Sequence, residues 1–164
     1  MISEILEMGS KPNFSREYPL YPIPSVGALI VHGERILIVK RASPPSVGKW
    51  SIPGGVIEIG ETAEEAVRRE VREEVGIDIY DAELLDVYDS ITRDENGRVK
   101  YHYVIIEYLA RPSSLEIKYS EEVLEYRWAT LEEITTLDIT PSLREILKKH
   151  REKIKTYMKL KNSC

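Results

Sequence analysis

Cysteine, glutamine and long apolar runs are scarce or missing in this 164-residue chain, and each absence excludes a class of protein. The only cysteine is Cys164, so a disulfide framework within the chain is excluded and a reducing compartment, by default the cytoplasm, is expected. No apolar run approaches the roughly 18 residues that a membrane helix needs, so no membrane span is expected. The acidic start MISEILEMGS is unlike the basic start of a signal peptide.

The charge balance is acidic rather than basic. A net charge of -5 argues against nonspecific nucleic-acid binding, which requires a basic surface. Charged residues make up 31% and hydrophobic residues 42% of the chain, which is typical of one compact globular domain. An anionic substrate would therefore need metal ions or a local cluster of basic side chains to bind.

The order of predicted elements indicates the fold class. Prolines interrupt residues 1–24, which predicts an irregular N-terminal extension followed by one domain over residues 25–164. Strands are predicted at 25–31, 35–41, 51–55 (ending in a Pro-Gly-Gly turn), within 77–93, and at 99–111 and 125–130; helices are predicted at 62–75, 131–137 and about 141–160. This mixed order predicts an α+β fold, or an α/β/α sandwich, around a mixed sheet.

The helix after Thr62 carries an unusual number of carboxylates. Thr62 and Glu65 fit a capping box, and Gly76 suits the position after the last turn. At about 100° per residue, Glu70 and Glu74 fall inside the arc of apolar residues, with Glu73 at its edge.

Two inward carboxylates one turn apart would repel each other and lose hydration. A divalent cation such as Mg²⁺ or Mn²⁺ offsets both costs. Arg69 falls on the opposite side with Glu65, Arg68 and Arg72, although its guanidinium could instead hold one glutamate. A fully solvated helix with Glu–Arg pairs is the alternative interpretation.

The stretch from Gly55 to Ile77 resembles the Nudix box, GX5EX7REUXEEXGU with U aliphatic. Gly55, Glu61 and the run Arg69–Ile77 match every specified position, and GKWSIPGG at 48–55 resembles the family's entry into the box. The resemblance covers about 26–137. It implies a Nudix-like α/β/α sandwich with a mixed central β-sheet and metal-dependent hydrolysis of a diphosphate in nucleoside diphosphate derivatives.

The resemblance also implies functions for individual residues. Glu70 and Glu74, with the Gly54 carbonyl, would bind Mg²⁺ or Mn²⁺. Glu73 would contribute to metal binding or act as the base, and Arg69 would orient a glutamate. A further acid from a later loop is expected, and Glu122 is preferred, with 116, 121 and 125 as alternatives. Many members dimerise, so a homodimer is expected as one option.

The sequence constrains the identity of the substrate less than it constrains the fold or the reaction. ADP-ribose, cleaved to AMP and ribose 5-phosphate, stands first, although Arg93 occupies the position where some ADP-ribose-cleaving members have proline. Nucleoside triphosphates, including 8-oxo-dGTP, are the alternative. Arg41, Tyr88 and Tyr103 are candidate substrate contacts. A non-catalytic nucleotide-sensing module would usually lack box glutamates, and the isoprenoid isomerase of this fold would need a cysteine inside the domain.

Overall fold

The computed structural model describes residues 15–160, and the part of the predicted extension at 1–14 and the cysteine at 164 lie outside this range. Its elements follow the predicted order closely. They are β1 (Ile23–His32), β2 (Arg35–Arg41), β3 (Trp50–Ser51), β4 (Gly54–Val56), α1 (Ala63–Val75), β5 (Ile79–Arg93), β6 (Val99–Pro112), β7 (Val123–Thr130), α2 (Leu131–Ile134), α3 (Pro141–Lys149) and α4 (Arg151–Lys159). None of the helices within 15–160 combines the length and apolar character needed to cross a membrane.

The central sheet is mixed, as the sequence predicted. Its strand order is β3-β2-β1-β6-β5, with β4 added beside β1 and β7 beside β2. β1 and β6 run parallel, whereas the other pairings are antiparallel. The N-terminal half of β1 pairs with β4 and its C-terminal end pairs with β2, so two strands share one edge of β1.

Alternation along β1 divides the core into two layers. Val26, Ala28 and Ile30 pack with the apolar face of α1. Leu29 and Val31 pack on the other face with α3 and α4. Because successive strand side chains point to opposite faces, a strand buried on both sides must be continuously apolar, as β1 is here. The helices on both faces confirm the predicted sandwich.

Two predicted elements are divided in the structure. The stretch Ser51–Gly55 forms parts of two short strands rather than one strand and a turn, because Gly54 and Gly55 pair with β1. The predicted helix at 141–160 breaks at His150, where φ is -115° and ψ is 19°. The His150 ring lies 2.7 Å from Asp86 Oδ2, so the residue at the break contacts β5.

The described part of the N-terminal extension lies against the hairpin of β5 and β6. The Tyr18 amide donates to the Lys100 carbonyl at 2.8 Å, and the Arg98 guanidinium stacks over the Tyr18 ring. The Tyr101 hydroxyl donates to the Glu17 carboxylate at 2.6 Å. These contacts hold the neighbouring Arg16 at the edge of the cavity described below.

Candidate active site

Helix α1 positions the acidic side chains. It begins with the predicted capping box between Thr62 and Glu65, and it ends at Gly76, whose φ of 72° suits glycine. Its apolar residues pack into the core, and Glu70 and Glu74 are buried with them at 9% and 8% exposure. The inward phase predicted for these two glutamates is therefore confirmed. Glu73, predicted at the edge of the arc, is exposed.

Arg69 organises the carboxylates around it. Its guanidinium forms a two-atom contact with Glu61, donates to Glu70 at 2.8 Å and to Glu73 at 3.1 Å, and reaches the Val56 carbonyl at 3.0 Å. The hydrogen bonds from Arg69 lower the pKa of Glu61 to about 2. Hydrogen bonding to Glu61 raises the pKa of Arg69, which stays charged.

The solvated position predicted for Arg69 from the helical phase is wrong. Only 19% of its side chain is exposed, because Val56 and Glu61, in the segment leading to α1, also bind its guanidinium. The helical phase describes α1 alone and carries no information about the preceding segment. The alternative expectation, that Arg69 holds glutamates through its planar fork, agrees with these contacts.

A glycine pair lets the backbone approach the buried carboxylates. The Gly54 amide donates to Glu74 Oε2 at 2.8 Å. A Cβ added at Gly55 would overlap the Glu70 carboxylate, so only glycine leaves space for that side chain. Both glycines are held by pairing of β4 with β1. Gly54 therefore lies beside the acids, and metal binding by its carbonyl remains a prediction.

Burial dominates the electrostatics of the two acids. It raises the pKa of Glu74 to about 8, against the Gly54 hydrogen bond, and the charges of Glu70 and Glu122 raise it further. Burial also raises the pKa of Glu70, although Arg69 opposes the shift. Crowded, poorly hydrated carboxylates of this kind are stabilised by a bound cation.

The acids line one side of a cavity of about 310 Å³. Glu73 and Glu122 also line it, so the structure brings all four predicted carboxylates together. The alternative acids at 116, 121 and 125 do not line it. Glu125 instead forms ion pairs with Lys40 and Arg127.

Two of the three residues predicted to contact the substrate line the cavity. Arg41 and Tyr103 line the cavity, and the buried Arg41 Nε has no hydrogen-bond partner among residues 15–160. Tyr88 does not line the cavity, and its contact with the substrate stays a prediction. It lies half-buried on the edge strand β5, whereas Ser90, one pleat further along the same strand, reaches the cavity. A tyrosine in a strand signals burial but not distance from the site.

Sequence reasoning missed cavity residues of both charges, among them Arg16 and Glu107. Arg16 comes from the N-terminal extension, and no motif marked it. Glu107 is buried in the run VIIEYLA of β6, and an isolated acid in such an apolar run is a signal that could have identified it.

The donor set fits a divalent cation that keeps other ligands. Over residues 15–160, no group of three His, Cys, Asp or Glu side chains is arranged to hold a metal by itself. Arg69 donates hydrogen bonds to Glu70 and Glu73, and the Gly54 amide donates one to Glu74. Magnesium commonly binds through one or two carboxylates together with water and substrate phosphates, so two buried glutamates suffice.

Comparison with known proteins agrees with this geometry. The model of the NUDIX domain matches residues 22–150. An ADP-ribose pyrophosphatase of Methanocaldococcus jannaschii is 34% identical over 149 residues, covering 90% of this chain and 80% of the relative. The nucleoside triphosphatase NudI of Enterobacter sp. (strain 638) is 33% identical over 129 residues, covering 71% and 87%.

A solved structure gives the same result. The MutT NUDIX hydrolase from Burkholderia pseudomallei superposes with a TM-score of 0.70 at 36% identity. The match covers 78% of this chain and 97% of that one.

Proposed function

Because this chain belongs to the NUDIX family of hydrolases, we propose that it hydrolyses a diphosphate linkage in nucleoside diphosphate derivatives, with ADP-ribose as the first candidate substrate. Cleavage of ADP-ribose would yield AMP and ribose 5-phosphate. The observation that carries the proposal is the pair of buried carboxylates, Glu70 and Glu74, facing a cavity that also contains basic side chains.

In this proposal Glu70 and Glu74, with the Gly54 carbonyl, hold Mg²⁺ or Mn²⁺. When bound, the cation neutralises diphosphate oxygens and makes water a better nucleophile. Arg69 keeps the carboxylates oriented through its contacts to Glu70 and Glu73. Arg41 and Arg16 supply positive charge for the substrate, which an acidic protein must provide locally.

Two acids are candidates for accepting the proton from the attacking water. Glu73 is bound to Arg69 at 3.1 Å, which restrains its carboxylate. The Glu122 carboxylate lines the cavity and forms no ion pair or hydrogen bond within the described residues. A carboxylate without a competing partner is free to hydrogen-bond to the attacking water, so we assign the base function to Glu122 and assign support of the metal to Glu73.

A nucleoside triphosphate is the second candidate substrate. It is favoured by the 33% identical relative named nucleoside triphosphatase, whereas the 34% identical pyrophosphatase favours ADP-ribose. The two reactions release different products: AMP with ribose 5-phosphate in one, and inorganic phosphate or pyrophosphate in the other.

The test is a product screen at neutral pH with Mg²⁺ and with Mn²⁺, over ADP-ribose, NADH, dinucleoside polyphosphates and normal and oxidised nucleoside triphosphates. Metal-dependent AMP release from ADP-ribose supports the first candidate. Phosphate or pyrophosphate release from triphosphates alone would replace it with the second. No turnover of any diphosphate would overturn the enzymatic assignment and favour a nucleotide-sensing module.

Paired substitutions test the proposed functions. Glu74→Gln and Glu122→Gln should each reduce turnover at least about 100-fold, because each removes a charge from the reaction site. Glu121→Gln is the matched control, since Glu121 is the exposed neighbour of Glu122 and lies outside the cavity. Full activity in Glu122→Gln would transfer the base function to Glu73.

A further inference from the structure

Glu107 is the most deeply buried acid in the described part of the chain. It is 2% exposed in the middle of β6, and its Oε2 has no hydrogen-bond partner within residues 15–160. Burial raises the pKa of Glu107 to about 8, and the charge of Asp86 adds to the shift. An unpaired buried carboxyl group destabilises a fold, so its presence calls for a functional explanation.

The Glu107 side chain borders the same cavity as the proposed metal-binding acids. It lies opposite Gly27 in the pairing of β6 with β1, and a Cβ added at Gly27 would overlap its carboxyl group. The absence of a side chain at Gly27 therefore creates the space that the carboxyl occupies. The buried hydroxyl residues Ser25, Ser51 and Thr140 also line this part of the cavity.

The two ends of the cavity differ in chemistry. Glu70 and Glu74 on α1 form the end suited to a cation and the diphosphate. At the other end, Glu107 and the hydroxyl residues lie on the sheet face that packs against α3 and α4, because Glu107 alternates in phase with Leu109. The hydroxyl residues there offer hydrogen bonds but no positive charge to balance a phosphate, so the uncharged part of the substrate is expected at this second end.

We propose that the Glu107 carboxyl group hydrogen-bonds to the base of the bound nucleotide and thereby determines which nucleotides the cavity accepts. This inference rests on the proposed function. A protonated carboxyl presents an O–H donor beside a carbonyl acceptor. It matches a base edge on which an acceptor adjoins a donor, such as the ring nitrogen and amino group of adenine.

The test separates base recognition from turnover by measuring binding without metal. Titration calorimetry in EDTA compares wild type, Glu107→Gln and Glu107→Met with AMP, GMP, CMP, UMP and ribose 5-phosphate. For the monophosphate that binds wild type most tightly, Glu107→Met should weaken binding about tenfold, because it removes the donor–acceptor pair. Glu107→Gln should stay within about threefold, since its amide keeps one donor and one acceptor. Affinity for ribose 5-phosphate should be equal in all three proteins.

Two further variants complete the design. Gly27→Ala, which displaces the carboxyl from the opposite strand, should weaken binding of the same monophosphate without affecting ribose 5-phosphate. Glu83→Gln, an exposed acid on β5 paired with Lys153, should bind like wild type. Thermal unfolding confirms that each variant is folded. If Glu107→Met does not fold, the comparison of Glu107→Gln with Gly27→Ala provides the test.

The inference is overturned if Glu107→Met binds the preferred monophosphate as tightly as wild type, or if it loses ribose 5-phosphate to the same degree. It is also overturned if wild type binds none of the four monophosphates. Base binding that depends on Glu107, without metal-dependent hydrolysis, would support this inference while refuting the proposed function.

Discussion

Substituting alanine for Gly55 should reduce catalysis while leaving the fold intact. The added methyl group would overlap all three atoms of the Glu70 carboxyl group, so that side chain must move by about 1 Å to restore van der Waals contact. Misplacement of a reacting group by about 1 Å costs roughly 100-fold in rate, or about 2.7 kcal/mol in the barrier. The Gly55 backbone does not have a positive φ, so alanine adds no backbone strain there.

The assay is the initial rate of Mg²⁺-dependent hydrolysis of the best substrate, measured over a range of Mg²⁺ concentrations, with thermal unfolding in parallel. We expect a loss of about 100-fold and a weaker response to Mg²⁺, with a protein that still folds and whose free energy of unfolding falls by about 1–3 kcal/mol. The double variant Gly55→Ala/Glu70→Asp provides the control, because the shorter aspartate makes room for the methyl group.

The double variant should lose far less than the product of the two single losses, as expected for residues in contact. A Gly55→Ala protein within threefold of wild-type activity would refute the argument. So would multiplicative losses, because independent effects mean that the methyl group does not act through the Glu70 carboxylate.

Four further outcomes follow from the contacts. Removal of divalent metal with EDTA should abolish hydrolysis, and Mg²⁺ or Mn²⁺ should restore it in a rate assay; activity that survives EDTA contradicts the metal assignment. Arg69→Lys should lower turnover in a rate assay, because a lysine cannot bind Glu61 and Glu70 together through a planar fork. Thermal unfolding shows whether the variant is folded, and wild-type activity in the variant would contradict this argument. Thr62→Ala should cost about 1 kcal/mol, lowering the melting temperature by about 2–4 °C, and an unchanged melting temperature would show that the capping box is dispensable. Hydrogen bonds from Lys149 and His150 lower the pKa of Asp86, so the stabilising effect of Asp86 is present at neutral pH and disappears as the pH falls below the usual aspartate range. The melting temperatures of wild type and Asp86→Asn should therefore converge on acidification. A constant difference between the two melting temperatures would refute the linkage.

The parts of the fold that depend on local periodicity were predictable. Helix α1 has a capping box, an amphipathic pattern and a terminal glycine, and all three indicate the same limits. The inward phase of Glu70 and Glu74 follows from the same periodicity. The break at His150 was not predicted, because the apolar pattern continues through it and the contact of His150 with Asp86, 64 residues earlier, is invisible to local periodicity.

The environment of Arg69 shows the limit of periodicity at the site itself. Its helical phase predicted a solvent-exposed side chain, yet the Val56 carbonyl and the Glu61 carboxylate both bind its guanidinium. These partners precede α1 in the chain, so their approach depends on the path of the connecting segment. Only a resemblance that spans Gly55, Glu61 and Arg69 together could place them in one cluster.

The two-ended cavity has a cause in the sheet that neither periodicity nor the box reveals. β1 pairs with β4 at Ser25–Gly27 and with β2 at Val31–His32, and between these pairings the Ala28 amide donates to the Pro53 carbonyl at 2.8 Å. The cavity is lined both by α1 acids from one face of the sheet and by Glu107 from the other, and Gly27 lines it as well. Gly27 pairs with Gly54 on one side and with Glu107 on the other, so it joins the two groups of residues. Strand alternation assigns each residue to a face, but the connection between the faces arises from strand pairing, which explains why the inward acids of α1 could be predicted and the place of Glu107 could not.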